Sequence, residues 1–270
     1  MSSDSQIVPL KKWMKKSTIH FFDRNPDALA APGFVSLSVQ DCIKILSAGY
    51  EPLCRSSFFI SCRARQILSD NLSRKIYSED EIFKAERLIN KHIEGLHEYF
   101  DTRIQQGEQK LELGGFKPDE IKRVVTNFET KVVTNVITQY LDLVTKADVY
   151  LTMLHYLWLT GELSDTPDEA MRVKLNTERE VRENLYSVTR LAQSQYDQVR
   201  RICNGVVEQR RVEREKQSER DRLKHQQKQE AAAKKQAAKQ KTSGKKAKAA
   251  EALSTAKAEL EGLSLMPSMA

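Results

Sequence analysis

The chain has 270 residues, with 44 Lys or Arg against 37 Asp or Glu and a formal net charge of +7. A chain of that length holds one large domain or two small ones and buries a core without staples. No run of eighteen apolar residues is present, which excludes a transmembrane helix. The N-terminus MSSDSQIVPLKKWMKK lacks an apolar stretch of signal-peptide length. Cys42, Cys54, Cys62 and Cys203 show no paired metal spacing and read as reduced cytosolic thiols.

The charge is unevenly placed. Val206–Ala270 holds 16 Lys or Arg against 9 Asp or Glu, which leaves 28 of each sign in a neutral body. A basic tail on a neutral body suits a polyanion, and equally suits a solvated arm.

In chain order, residues 1–33 read as an irregular arm broken by Pro9, Pro26 and Pro32. Within it, Lys11, Lys12, Lys15 and Lys16 surround Trp13 and Met14 and are candidate phosphate contacts. Thr18–Phe22 is short and β-prone. Ser38 is the expected N-cap of a helix running to about Ala48 and stopped by Gly49. A second helix is expected over 56–76. Ser78–Glu81 then has capping-box form, and Ile82, Ala85, Leu88, Ile89, Ile93, Leu96, Phe100 and Ile104 recur at helical spacing towards an end near Gly107.

After Gly114, Gly115 and Pro118 comes VVTNFETKVVTN, Val124–Asn135, in which the tetrapeptide VVTN occurs twice, eight residues apart. Seven of these twelve residues are Val or Thr, which are stiff at χ1 and suit a pleated strand. At period two, Val124, Thr126, Phe128, Thr130, Val132 and Thr134 form a half-apolar underside. Val125, Asn127, Glu129, Lys131, Val133 and Asn135 form a polar upper side. The same residues also fit the start of one long helix from Pro118 to Gly161, with Phe128, Val132 and Val136 on one face. Beyond them an apolar stripe predicts a helix over about 137–160, ending near Gly161. Thr166 and Pro167 are the expected N-cap and first turn of the next helix.

A lone strand needs a partner for its backbone groups, and the simplest is its own copy across a two-fold axis. Such an antiparallel ribbon fits the major groove of B-DNA, where Asn suits adenine and Lys suits guanine. The candidate DNA-binding residues are therefore Asn127, Glu129, Lys131 and Asn135, with Arg123 ahead of them and Thr166 at a helix N-terminus offering amides to a phosphate. From about residue 207 the apolar residues nearly vanish. Ala231–Ala250 carries seven lysines and no acid, and reads as disordered. Lys234, Lys235, Lys245 and Lys246 are further candidate phosphate contacts.

The segments STIHFF (17–22), SLSVQDCIKIL (36–46) and VITQYLDLVTKADVYLTML (136–154) together resemble the AcaB-like proteins of integrative conjugative elements and large conjugative plasmids. The likeness spans about residues 10–205. It implies a dimeric transcriptional regulator of conjugation genes whose DNA-binding fold is related to the ribbon-helix-helix class. It does not account for the lysine-rich tail.

Enzyme signatures are absent: no H-E-x-x-H, P-loop, G-x-G-x-x-G or G-x-S-x-G occurs. His92 and His97 lie about 140° apart around a helix, a poor shared metal face. His155 reads as a hydrogen-bonded core residue, and Asp142 and Asp148 diverge.

The expected architecture is mainly α with a short β ribbon: an arm over 1–33, a helical domain with a ribbon-helix-helix-like dimer core over 34–205, and a charged helical extension with a disordered basic tail over 206–270. The expected function is a homodimeric, nucleoid-associated, double-stranded DNA-binding activator of conjugative transfer genes. It is expected to have no cofactor, metal, membrane or small-molecule substrate. The alternatives are a helical scaffold or accessory protein of a conjugation apparatus with a basic partner-binding tail, and nonspecific nucleic-acid binding through the tail alone.

Overall fold

The computed structural model describes residues 7–9, 30–68, 80–117 and 123–263, with side chains described over 30–68, 80–117 and 123–230. The chain divides into two units, Met1–Val207 and Glu208–Ala270.

The first unit sets helices against a small sheet. The strands are β1 (Ile7–Pro9), β2 (Ala31–Leu37) and β3 (Thr126–Val132). The helices are α1 (Gln40–Phe58), α2 (Arg65–Leu68), α3 (Asp80–Leu113), α4 (Asn135–Thr160) and α5 (Pro167–Leu263). A π-helical turn, Phe59–Ala64, joins α1 to α2.

The VVTN segment is extended, and the long-helix alternative falls because helix begins only at Asn135. The strand is not alone. The sheet order is β1-β3-β2, so β3 is central. β2 runs antiparallel to it from Ala31↔Val132 to Leu37↔Thr126, and β1 lies parallel at Asn127, Phe128 and Glu129. The Tyr50 hydroxyl donates to the Lys131 carbonyl and accepts from the Lys131 N–H at 3.0 Å. Both Lys131 groups thus face away from β2, where Pro32 has no N–H to offer. The β1 side of β3 is therefore filled by β1 itself and then by Tyr50. The pairing of β3 with a second copy, expected from the sequence, is corrected: its partners come from its own chain.

The irregular arm over 1–33 is corrected too, since β1 lies within it and β2 begins at Ala31. Pro32 breaks no strand because its side of the ladder needs no donor. Gly33 is buried, and a Cβ there would lie 2.7 Å from Val132 Cγ2 and 2.8 Å from Thr130 Oγ1. Thr18–Phe22 and Ser78 lie outside the described residues.

Two expected helix ends also move. Gly49 lies inside α1, where a Cβ would lie 2.9 Å from Thr189 Oγ1 of α5 and 3.3 Å from the Tyr140 hydroxyl of α4. It permits a close approach of helices and stops nothing. The separate helix expected from residue 56 is a continuation of α1 through the π-helical turn to Leu68; the rest of its expected span, from 69 to 76, lies outside the described residues. Gly107 is buried within α3 against Met153 of α4, and α3 runs on to Leu113 before Gly115 turns the chain at φ +80°.

α4 is the core helix. Tyr140, Val144, Ala147, Leu151 and Leu154 are buried along it, and the rings of Phe100 and Tyr150 lie 6.3 Å apart between α3 and α4. Each fully buried Leu or Phe contributes about 1.5–3 kcal/mol. α4 ends as expected at Gly161, which takes φ +81°. α5 begins as expected, with the Glu169 N–H donating to Thr166 Oγ1 at 3.4 Å. Val181, Leu185, Val188, Ala192, Val199, Cys203 and Val206 form its buried stripe.

In the second unit nearly every described side chain is exposed. Its helical backbone continues to Leu263. Ala, Lys, Gln and Glu dominate there and have high helix propensity, and the one interior glycine before residue 262, Gly244, costs only about 1 kcal/mol.

Candidate nucleic-acid interface

The solvent-facing side of the sheet is set by the alternation of two paired strands. On β3, Phe128 and Thr130 turn inward while Glu129 and Lys131 are exposed; on β2, Gly33, Val35 and Leu37 turn inward while Pro32, Phe34 and Ser36 face out. The register then places three pairs on the outer face: Pro32 with Lys131, Phe34 with Glu129, and Ser36 with Asn127. Ser36 Oγ donates to Asn127 Oδ1 at 2.6 Å, which holds the amide in place on the face.

Three of the residues expected from the sequence, Asn127, Glu129 and Lys131, are thus brought together. Asn135 is the exposed first residue of α4, one turn beyond the strand. Arg123, just ahead of β3, has Nη1 3.8 Å from Asp148 Oδ2. Thr166 does not join the face. It caps α5 beyond the far end of α4, a 26-residue helix about 39 Å long. Lys11, Lys12, Lys15 and Lys16 lie outside the described residues. Lys234, Lys235, Lys245 and Lys246 lie on α5 where only the backbone is described.

A helix N-terminus follows each of the two paired strands, α1 after β2 and α4 after β3, and a buried carboxylate holds the approach to α1. The N-cap of α1 is Val39, not Ser38, and no side chain caps the first turn; the fully buried Asp148 carboxylate from α4 instead holds the two residues that lead into the helix. The Ser38 N–H donates to both Asp148 oxygens at 3.0 Å, the Val39 N–H donates to Oδ1 at 2.6 Å, and Ser38 Oγ donates to Oδ2 at 2.7 Å. Three donors and the nearby Arg123 guanidinium compensate a charge that burial alone would penalise. Asp142, by contrast, is exposed.

The histidines go to separate partners. His92 Nε2 meets Ser187 Oγ at 2.6 Å, His97 Nε2 meets the Gln139 carbonyl at 3.1 Å, and His155 Nε2 meets Glu178 Oε1 at 2.8 Å. Lys174 Nζ meets the same Glu178 oxygen at 2.9 Å. Burial raises the Glu178 pKa, but hydrogen bonds from Lys174 and His155 outweigh it and leave the carboxyl below its ordinary value. Among the described residues no helix is long and apolar enough to cross a membrane.

Sequence reasoning missed β2 and, with it, Ser36 and Phe34. The signal is present in Val35-Ser36-Leu37-Ser38, which alternates at period two, but Pro32 just ahead of it reads as a breaker.

No protein-family model matches the sequence, and no curated protein does. The fold is similar to that of selenomethionine-containing AcaB from uropathogenic E. coli, solved as a crystal structure, with a TM-score of 0.54, 16% identity, and coverage of 66% of this chain and 84% of that one. The chain therefore has an AcaB-like fold.

Proposed function

We propose that this chain is a double-stranded DNA-binding regulator, an activator of conjugation genes, working in the bacterial cytoplasm at the nucleoid. The observation that carries this reading is the outer face of the β2–β3 pair, on which Ser36, Asn127, Glu129 and Lys131 turn amide, hydroxyl and charged groups to solvent. A paired ribbon of this kind enters the major groove, where Asn suits adenine and Lys suits guanine. The AcaB-like fold and the segments that resemble the AcaB-like proteins support the same direction. Because both sides of β3 are filled within the chain, each copy of a homodimer would present its own ribbon instead of half of a shared one. Arg123 and Asn135 flank the face, and the basic second unit adds sequence-independent attraction to phosphates. In this reading the protein catalyses nothing and carries no cofactor.

The test is a titration of duplex DNA recovered from plasmid or genomic fragments bound by the purified protein. Lys131→Ala or Asn127→Ala should weaken binding to that duplex about 5- to 100-fold while leaving random DNA within about 3-fold. Equal loss on both would refute base reading by these side chains.

One observation favours a second reading, a helical scaffold of a transfer apparatus: the strand that was to meet its twin is already paired. A folded helical dimer that shifts neither specific nor random duplex would favour it.

A further inference from the structure

Phe34 stands on the outer face of β2 with 62% of its surface exposed, directly across from Glu129. Lys131 leaves its pair with Pro32 without mutual hydrogen bonds, and the alternation of an antiparallel ladder gives Phe34 and Glu129 the same kind of pairing, with Cα atoms about 4.5 Å apart. The ring therefore sits beside a carboxylate, between the Ser36–Asn127 pair and the Lys131 side chain. Such a ring in the middle of a polar face has no role in the core beneath it.

We infer that Phe34 reads thymine: its ring packs on the C5-methyl group in the major groove while Asn127 and Lys131 bond neighbouring base edges. This rests on the DNA-binding reading above and adds the base feature that the apolar residue recognises. The thymine methyl is the apolar group that the major groove displays. Glu129 argues against the backbone as the ring's seat, because a carboxylate beside phosphate oxygens is repelled, whereas the amino groups of cytosine in the groove are donors for it. A stacking platform for single strands combines aromatic rings with a positively charged track. Here one ring has an acidic neighbour, which favours the duplex.

The test uses the full chain and duplexes enriched from a randomised pool. Each thymine of an enriched duplex is replaced in turn by deoxyuridine, which removes only the methyl group, and binding is followed by fluorescence anisotropy. At one or two positions the wild type should lose about 3- to 5-fold in affinity, the worth of one buried methyl. Phe34→Ala should bind the thymine duplex with that same loss and no longer distinguish uracil there. Asn127→Ala should still distinguish it. An unchanged circular dichroism spectrum would show the variants folded, and the deoxyuridine series on the wild type needs no variant. A wild type blind to the methyl, a Phe34→Ala variant that still senses it, or tighter Phe34-dependent binding of single strands than of duplex would overturn the inference alone. Failure to enrich any duplex would overturn the DNA-binding reading, and this inference with it.

Discussion

Asp148 has no exposed surface, and its carboxylate accepts from the two backbone amides that lead into α1. Val39, the N-cap residue, carries no group that could bond the free amides of the first turn. Losing the carboxylate carries a penalty, because the part-buried Ser38 and Val39 N–H groups would be left without this acceptor. Asp148→Ala is expected to lower stability by about 2–4 kcal/mol, seen as a lower denaturant midpoint at unchanged slope. Asp148→Asn keeps one acceptor oxygen and should lose less. A midpoint unmoved by Asp148→Ala would show that the start of α1 does not depend on this carboxylate.

At the scale of elements, the edge of β3 beyond β1 is closed by one phenol. Burial pushes the Tyr50 hydroxyl pKa up and keeps it protonated, so it both donates and accepts at Lys131. Tyr50→Phe removes both bonds and is expected to cost about 1–3 kcal/mol, with faster hydrogen exchange at the Lys131 amide than elsewhere in the strand. Uniform exchange along β3 would count against an edge closed by this side chain. The contact of α4 with α5 carries a pH dependence. Glu178 has a folded pKa below its ordinary value of 4.5, so its contribution to stability is complete above that value. It is lost as the pH falls through the lower folded value. Thermal melts should therefore show the wild type losing stability below about pH 4.5, and Glu178→Gln should be less stable at neutral pH with a flatter acid limb. Parallel acid limbs would remove Glu178 from this role.

For the whole molecule, the proposed DNA binding assigns sequence preference to a neutral body and nonspecific attraction to a basic extension. The extension from residue 208 has almost no buried side chain among those described, so it offers charge and little packing. A chain ending at Val207 should keep its preference for the enriched duplex over random DNA. It should lose affinity for both at low salt, with a shallower salt dependence, by about 0.9 in log–log slope per phosphate contact removed. Loss of all binding on truncation would instead assign recognition to the extension.

The sequence by itself determined the features that nearest neighbours encode. The apolar period of α4, the Gly161 stop, the Thr166–Pro167 start of α5 and the two faces of Thr126–Val132 were all readable because each depends on residues within a few positions of one another. Only the tertiary structure decided what those elements meet. The partner of β3 lies 89 to 101 residues upstream, from Leu37↔Thr126 to Ala31↔Val132, and Asp148 reaches Ser38 across 110 positions. Gly49 and Gly107 look like stops in a local reading, yet they are the points at which helices far apart in the chain come close. Glycine carries both meanings with the same side chain, and only the surface brought against it tells which one applies.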